Sequence, residues 1–477
     1  MKILFIAPLP PPVHGSAMVS QYIKDSKLIQ EQYDCDFVNL STSRRMDEIG
    51  KGGMKKILRF IGAYFSLLWK LLTRRYDLCY LAITCHDMGF LKDAPFVLLC
   101  KLFRRKVLIH QHNKGMSGCV ERWPYRWLLP LVYRNTTVML LSWHLYDDIA
   151  KVVKREQVVV CANGIPQITD NGQQTKATKL LSTDCHPDGD TKLVGEDENE
   201  NSQSSSLVAH CSSLSNSVQD NLTQNSRNPQ NGKSLRPCCH PDGNTNPYTL
   251  HTKQEISHTD FTDYTDGKSL TPLLVSGVSA EGQQPIANSQ EPSAPRLLFL
   301  SNLIPSKGVY VLLDACRILR ERGLTFVCDF VGGETKEIDR AAFEAAVRER
   351  GLESIVCYHG PKYGEEKEEH WRRADIFVFP TFYFNECFPL VLLEAMQWRL
   401  PLVSSDEGGI PDIVKDGVNG YVCQRQDVQS LAEALERLIT DPALRQQMGE
   451  RGYQRYLDLY TLEAFEKRFV EQLLAIG

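Results

Sequence analysis

The chain has 477 residues, 42% of them hydrophobic and 23% charged, which excludes a fibrous protein and a chain that is disordered throughout. At roughly 150 residues per domain, this length favours two or three domains. The formal net charge of −4 hides an uneven distribution. Lys and Arg outnumber Asp and Glu by 24 to 13 in residues 1–165, but they are outnumbered by 16 to 8 in residues 166–295 and by 29 to 22 in residues 296–477.

The N-terminal apolar run, Ile3 to Ala7, is too short for a signal peptide before Pro8 interrupts it, and it predicts a buried first β-strand. No uncharged apolar run reaches the ~20 residues of a membrane-spanning helix. Eleven of the 15 cysteines lie singly outside residues 166–295 without a Cys-x-x-Cys pair, which is typical of buried thiols in a reducing compartment. We therefore expect a cytoplasmic protein. Peripheral attachment to the inner face of the membrane is compatible with this location.

Short β-branched runs alternate with helical patterns on both sides of residues 166–295. The pattern predicts strands over 2–7, 36–40, 77–83, 106–111, 136–141, 157–161, 296–300, 324–331, 354–358, 375–380 and 401–404. Among the helices between them are 309–322 and 428–440. Strand–helix alternation with nearly continuous apolar strands indicates parallel sheets that are covered on both faces. We predict two doubly wound, Rossmann-like α/β domains, 1–165 and 296–477, which face a central cleft.

Residues 166–295 differ from the rest of the chain. Of its 43 aromatic residues (6 Trp, 18 Tyr and 19 Phe), only three fall in this stretch, which is rich in Ser, Asn, Gln, Thr, Asp and Pro. Such a composition buries too little apolar surface to offset its ordering entropy, and it predicts a long disordered insertion between the domains. Zinc binding is the alternative for this stretch, but regular ligand spacing is lacking among the candidates Cys185, His186, Cys238, Cys239 and His240.

Residues 54–75 predict an amphipathic helix with many basic residues. Its apolar positions are interleaved with Lys55, Lys56, Arg59, Lys70, Arg74 and Arg75. Such a helix can lie in the interface of an anionic membrane, and the alternative is a helix that packs on the sheet and happens to have basic ends. Nucleic acid is a poorer explanation for the charge, because no recognised binding motif accompanies it.

Two glycine-containing loops follow the first strand of each domain and precede a helix. Gly15 stands in the first, where a glycine lets backbone N–H groups approach a phosphate, although a plain turn is the alternative. Lys307 and Gly308 stand in the second, where a lysine can neutralise a diphosphate or simply be exposed to solvent.

The segment 385–396, Asn-Glu-Cys-Phe-Pro-Leu-Val-Leu-Leu-Glu-Ala-Met, follows the predicted strand 375–380. Proline suits the first turn of a helix, so a helix is expected from about Pro389 to Trp398. Glu386 then precedes this helix and Glu394 lies about one turn inside it, within an apolar run. A carboxylate there is costly to bury without a hydroxyl or a cation, so the pair suits a polyol ligand.

These motifs resemble the retaining GT-B glycosyltransferases of family 4, also called glycosyl transferases group 1. The spacing of Glu386 and Glu394 is similar to that family's E-x7-E element. Nine further short motifs occur in the same order and at the same spacing as in the family. They are Lys307-Gly308, Gly332-Gly333, His359-Gly360, Ala374-Asp375, Pro380-Thr381, Glu394-Ala395-Met396, Gly408-Gly409-Ile410-Pro411, Asp416-Gly417 and Asn419-Gly420. The first domain matches more loosely, through its opening strand and Gly15, His110-Gln111-His112, and Asn163-Gly164-Ile165.

The resemblance implies a retaining enzyme that transfers a sugar from a nucleotide-diphosphate donor to a glycan or lipid-linked acceptor, in cell-surface polysaccharide or glycolipid biosynthesis. It implies that Glu394 holds the ribose hydroxyls, that Glu386 meets the donor sugar, and that His112, with His110 as the alternative, lines the transferred sugar. Lys307 would neutralise the leaving diphosphate, so that neither a metal nor another cofactor is required. The donor-binding residues implied in addition are Gly15, Asn302, Gly332, Cys387, Phe388, Pro389 and Leu390.

The chain departs from the family's pattern at three places. Ser301-Asn302 replaces Gly-Arg, which removes half of a cationic diphosphate clamp; Cys387 and Pro389 replace glycines; and His14-Gly15-Ser16 replaces a double glycine. These departures leave two other hypotheses open, a catalytically weak GT-B scaffold and a nucleotide-sugar epimerase or phosphorylase on the same fold.

Overall fold

The computed structural model describes residues 1–11, 15–41, 53–168 and 294–477. All of these residues belong to one compact unit, which contains two parallel six-stranded sheets. The predicted disordered insertion, 166–295, lies outside the described residues except for 166–168 and 294–295. The predicted fold class, two Rossmann-like α/β domains, is confirmed.

The first sheet has the strand order β2-β1-β3-β4-β5-β6, with every neighbouring pair parallel. Its strands are β1 Lys2–Ala7, β2 Asp34–Asn39, β3 Leu78–Ile83, β4 Lys106–Gln111, β5 Thr137–Leu140 and β6 Val158–Val160. Its helices are α1 Gly15–Asp25, α2 Lys27–Gln32, α3 Met54–Thr73, α4 Asp87–Leu102, α5 Tyr125–Tyr133 and α6 Tyr146–Ile149. The strands agree with the predicted ones to within two residues at each end.

The second sheet has the strand order β12-β11-β10-β7-β8-β9 and is also entirely parallel. Its strands are β7 Arg296–Leu300, β8 Val327–Val331, β9 Val356–Tyr358, β10 Ile376–Phe379, β11 Leu402–Ser405 and β12 Gly420–Cys423. The helices that follow β7 in the chain are α7 Val309–Glu321, α8 Arg340–Glu349, α9 Gly364–Arg373, α10 Leu390–Gln397, α11 Ile410–Ile413, α12 Val428–Thr440, α13 Pro442–Leu459 and α14 Leu462–Ile476.

Strand β12 was not predicted, because it is four residues long and begins with Gly420, a residue that is depleted in strands. Gly420 has φ 157°, and an added Cβ would lie 1.9 Å from the carbonyl oxygen of Leu402. The glycine is therefore needed for the close approach of β12 to β11. Close approach of two backbones is a tertiary requirement that hydropathy patterns do not record.

Side-chain caps define where several helices of the second half begin. Asp339, Asp427, Asp441 and Thr461 each precede a helix and accept a hydrogen bond from the backbone N–H three residues later. Such caps satisfy N–H groups that have no partner within the helix. The predicted helix 428–440 is confirmed at both ends, and the predicted helix 309–322 ends one residue earlier, at Glu321.

The last helix, α14, packs on the first sheet although the chain reaches it from the second. Phe465 and Phe469 belong to the same buried cluster as Ile3, Phe5 and Tyr80. Residues 462–476 thus complete the core of the first domain, whereas the sequence placed them in the domain 296–477. Among the described residues, no helix is both long enough and apolar enough to cross a bilayer.

Candidate functional site

The strand order of the second sheet reverses direction between β7 and β10. The chain runs from β7 to β8 on one side, while β10 lies on the other side of β7 and leads to β11. At such a topological switch point, the loops after the two central strands turn to opposite faces of the sheet and leave a crevice between them. The loops concerned are 301–308 after β7 and 380–389 after β10.

Lys307 and Glu386 meet across this crevice. Lys307 ends a short 3-10 turn after β7, and its Nζ forms an ion pair with the Glu386 carboxylate. The Lys307 Nζ also lies 4.5 Å from the ring centre of Tyr383 and 5.4 Å from that of Phe379. Both charged side chains are largely buried, with 16% and 11% of their surfaces exposed. A cation and a carboxylate are thus held together at the carboxyl edge of the sheet.

The two loops are fastened to each other by backbone contacts. The N–H of Phe382 donates to the carbonyl oxygen of Ser306 at 2.8 Å, and Thr381 Oγ1 donates to the same oxygen at 3.3 Å. Gly308 has φ 89°, and an added Cβ would lie 2.2 Å from the carbonyl oxygen of Pro380. Glycine is therefore required at position 308 both for its backbone conformation and for space.

We expect Gly308→Ala to lower the free energy of unfolding by ~3 kcal/mol or more, because a positive φ and a backbone clash both oppose the new methyl group. Gly323→Ala is the matched control, since Gly323 has φ 78° but an added Cβ would have no described atom within 4 Å. The control should cost only ~1–2 kcal/mol, the penalty for φ alone. Chemical denaturation measures both values, and equal losses would contradict the clash at Pro380.

Glu394 lies on α10, the helix that follows the second loop. Its carboxylate Oε2 is 2.6 Å from the Nζ of Lys367 on α9. Its helix neighbours Leu393 and Ala395 are buried in the core, and Glu394 is the one charged residue of this largely apolar helix. Burial, and to a lesser degree the negative charge of Glu394, raises the pKa of Tyr22 on α1.

A cavity of about 490 Å³ adjoins the crevice and is lined by both halves of the unit. Lys114, which follows β4, forms an ion pair with Glu407, which follows β11, and Arg425 Nη1 lies 3.2 Å from the second oxygen of Glu407. Asp148 on the wall of the cavity accepts the backbone N–H of Gly115 at 2.8 Å. The cavity therefore combines charged groups of both signs with aromatic rings, the latter supplied by Phe382 and Phe384.

Comparison with known proteins bears on this arrangement. Residues 283–455 match the family of glycosyl transferases group 1. The amylovoran biosynthesis glycosyltransferase AmsK of Erwinia amylovora is 35% identical over 147 residues, which are 30% of this chain and 35% of AmsK. The chain thus spans about a third of the length of the curated relatives that it matches.

Two solved structures are similar over nearly the whole chain. The apo lipopolysaccharide outer core galactosyltransferase WaaB has a TM-score of 0.57 at 14% identity, covering 100% of this chain and 99% of WaaB. Anabaena Alr3699/HepE in complex with UDP-glucose has a TM-score of 0.54 at 14% identity, covering 100% of both chains. The fold is that of the GT-B glycosyltransferases. The cleft predicted between the two domains lies where Lys114, which follows β4 of the first sheet, forms its ion pair with Glu407, which follows β11 of the second.

The two histidines at the end of β4, His110 and His112, differ in environment. His110 lies within β4 and is fully buried, and its Nδ1 is 2.7 Å from the hydroxyl of Tyr80. Burial is the main cause that holds the pKa of His110 well below its usual value, and the neighbouring His112 lowers it further. His112 follows the end of β4 and is half-buried, with its ring centre 4.1 Å from that of His110. His112 is therefore partly accessible at the strand end, whereas His110 is a core residue.

The residues between Glu386 and α10 are held firmly. Cys387 is buried. Burial is the main cause that raises the pKa of its thiol, and the negative charge of Glu386 raises it further. Its carbonyl oxygen accepts the N–H of Gly409 at 2.7 Å, while the Phe388 ring lies edge-on to Tyr460 at 5.8 Å. Pro389 precedes the first helical residue, Leu390, so the predicted helix start is confirmed to within one residue.

Asn302 and Gly332 make contacts with each other's loops. The Asn302 side-chain oxygen accepts the N–H of Gly333 at 3.1 Å, and an added Cβ at Gly332 would lie 1.9 Å from the carbonyl oxygen of Ser301. Gly15 starts α1 at the carboxyl end of β1, and an added Cβ there would have no described atom within 4 Å. The described residues alone therefore place no packing demand for a glycine at position 15. His14 lies outside the described residues.

Sequence reasoning did not single out Lys114, Glu407 or Arg425. Glu407 stands directly before the recognised Gly408-Gly409 motif, and Lys114 comes two residues after His112, so proximity to recognised motifs was the available signal. The ion pair of Lys114 and Glu407 joins positions that are 293 residues apart, and no local sequence pattern shows such a contact.

Proposed function

We propose that this protein transfers a sugar from a nucleoside diphosphate sugar to a glycan or lipid-linked acceptor, as a retaining group 1 enzyme of family 4. The proposal is supported by the family match over 283–455 and by relatives such as AmsK, named for amylovoran biosynthesis. The observation that carries it is the Lys307–Glu386 pair at the switch point of the sheet, with Glu394 on the helix that follows. All three residues lie inside the matched segment.

The proposed roles follow from charge and position. Glu394 accepts hydrogen bonds from the ribose hydroxyls, while Glu386 and His112 contact the transferred sugar. Lys307 stabilises the negative charge that develops on the leaving diphosphate, and the positive N-terminal end of α10 adds to it. Retention would follow from attack by the acceptor hydroxyl on the same face as the leaving group, with the diphosphate oxygen taking the proton.

The Lys307 charge makes a divalent cation unnecessary for neutralising the leaving group in this proposal. Initial rates of transfer should therefore be the same with and without added Mg²⁺ or Mn²⁺. A rate that rises steeply and saturates with either ion would contradict this part of the proposal.

The function itself is tested by a panel of nucleotide sugars that includes UDP-glucose. A bound donor stabilises the folded state by RT ln(1 + [L]/Kd), so it should raise the melting temperature. The proposal requires that the stabilising donor is also consumed, by transfer to a glycan primer or by slow hydrolysis. Stabilisation without turnover would indicate a binding scaffold, and interconversion of free nucleotide sugars would indicate an epimerase.

We further propose that α3 binds the surface of an anionic membrane and so brings the cleft to a lipid-linked acceptor. The helix buries only Leu67 and Leu71, while Leu58, Phe65 and Trp69 are 61%, 62% and 69% exposed. This exposure favours the membrane alternative over a helix packed on the sheet by its apolar side.

The pairing of basic residues in α3 and the exposed tryptophans at α5 are also relevant to membrane binding. Lys70 and Arg74 are tied to Asp36 at 3.0 and 2.8 Å, so these two basic side chains are less available to lipid headgroups. Next to α5, Trp123 is 78% exposed, and Trp127 on this helix is 67% exposed. Exposed tryptophans suit the boundary between lipid and water.

The variant Lys55→Gln/Lys56→Gln/Arg59→Gln should weaken binding to anionic vesicles by up to ~3 kcal/mol, at about 1 kcal/mol per basic residue. Trp69→Ser should also weaken it, whereas Leu474→Ser, which removes an exposed apolar residue of α14, should not. Co-sedimentation at rising salt concentration measures these effects, since added salt screens surface charge. Equal binding by all variants would rule out α3 as the contact.

A further inference from the structure

A cluster of two histidines and one aspartate lies on the second sheet, apart from the Lys307–Glu386 pair. Asp329 stands in β8, His359 directly follows β9, and His370 lies on α9. One potential ligand atom from each lies within 4.8 Å of the others. Asp329 is 2% exposed, and both histidines are half-buried, so the cluster has a buried floor and a side open to solvent.

The hydrogen bonds of the cluster orient its ligand atoms. His359 Nε2 lies 2.7 Å from Asp329 Oδ1, and the ring centres of His359 and His370 are 4.5 Å apart. Arg296 Nη1 donates to the other oxygen, Asp329 Oδ2, at 2.6 Å. The carboxylate is therefore fixed with Oδ1 directed at the imidazoles.

We propose that Asp329, His359 and His370 bind a divalent transition-metal ion, Zn²⁺ foremost. Two imidazole nitrogens and one carboxylate oxygen are a donor set that suits zinc, and three protein ligands leave a fourth position for water or another residue. Cys357 is one candidate for that position, because it is exposed and is the register partner of Asp329 across β8 and β9. The inference concerns ligand chemistry alone and does not rest on the proposed transferase activity.

The bound ion would hold one helix of the second domain in place. His370 lies one turn after Lys367 on α9, and Lys367 is the ion-pair partner of Glu394. The residue after His359, Gly360, accepts the N–H of Gly332 at 2.9 Å. The ion therefore links β8, β9 and α9 behind the wall of the candidate donor site. Its role is structural, since none of its ligands contacts Lys307 or Glu386 among the contacts of the described residues.

Metal uptake by the full chain without a histidine tag tests the proposal. Co²⁺, which reports coordination through its visible absorption, is titrated into chelator-treated protein, and Zn²⁺ is then used to displace it. The double variant His359→Gln/His370→Gln should take up one equivalent less than the wild type. The matched control His86→Gln/His144→Gln, which removes two histidines associated with the first sheet, should take up as much as the wild type.

Uptake by residues 166–295, such as Cys185 and Cys238, is a constant background because every variant retains them. Equal stoichiometry in the wild type and in His359→Gln/His370→Gln would overturn the proposal. The Co²⁺-induced rise in melting temperature should likewise be present in the wild type and absent from the double variant, whose circular dichroism reports whether it is folded.

A second variant keeps all three ligands and changes only the neighbouring charge. Arg296→Gln removes a cation next to Asp329, so Co²⁺ should bind about tenfold more tightly at low ionic strength. Unchanged affinity in Arg296→Gln would show that the ion is bound elsewhere and would refute the assignment even if the histidine variants failed to fold.

Discussion

Replacing Lys307 by alanine is expected to lower the rate of sugar transfer by about 10²-fold or more, with a much smaller loss of affinity for the nucleoside diphosphate. The negative charge of the leaving diphosphate grows as the glycosidic bond breaks, so a cation held beside it lowers the barrier more than it strengthens ground-state binding. Lys307 is suited to this task because it is largely buried and fixed between Glu386 and Tyr383. Initial rates and calorimetry with the nucleoside diphosphate separate the two effects.

The ion pair requires a control of its own. Lys307→Ala leaves the Glu386 carboxylate without its cation, which would repel the diphosphate and lower its affinity as well. Lys307→Ala/Glu386→Gln removes that repulsion, and it should restore nucleotide affinity but not the transfer rate. Lys151→Ala, which breaks an exposed pair with Glu121 at 3.0 Å, should change neither. A transfer rate that recovers in the double variant would contradict a direct role for Lys307.

Replacing Glu394 by alanine is expected to weaken binding of the nucleoside diphosphate itself by ~1.5–3 kcal/mol, the value of hydrogen bonds to a charged group. Glu394 lies within α10 and Glu386 lies in the loop before it, so we expect the two carboxylates to meet different parts of the ligand. Lys367 loses its partner in this variant, and Glu394→Gln, which keeps a hydrogen-bond acceptor, should fall between wild type and Ala. Glu433→Ala on the exposed side of α12 serves as the matched carboxylate control.

Glu386→Ala and His112→Ala should show the opposite pattern, sparing nucleoside diphosphate binding and depressing transfer, because both residues are assigned to the sugar. Calorimetry on all four variants, Lys307→Ala included, gives a direct comparison. If Glu386→Ala abolished nucleotide binding while Glu394→Ala left it intact, the roles assigned to the two carboxylates would be reversed.

Several elements of this site could be predicted because their signals are local. The strand before Lys307, the helix after Pro389 and the spacing of Glu386 and Glu394 each depend on fewer than twenty consecutive residues, over which periodicity and turn chemistry act. The choice between His110 and His112 could not be made in this way. Both follow the same apolar run, and only the packing of Tyr80 and Phe469 around His110 shows which ring is enclosed.

The amphipathic helix α3 illustrates the same limit. Its sequence showed apolar and basic residues in helical spacing, which suits either burial against a sheet or contact with lipid. The structure shows that Leu67 and Leu71 are buried while other apolar residues of the helix are exposed, and contact of the exposed residues with lipid stays a prediction. Hydrophobicity alone determines that a side chain avoids water, whereas the partner that covers it depends on which surfaces the fold brings together.

The sequence by itself determined the class of this protein: two parallel α/β halves, eleven of their twelve strands, and the motif that follows β10. These properties arise from hydrophobic periodicity and from residues whose backbone preferences act within a few positions. Only the tertiary structure decided that α14 returns to the first sheet, that Lys307 meets Glu386, and that Lys114 meets Glu407. Contacts between residues distant in the chain depend on strand order and on packing, and neither is encoded in a local pattern.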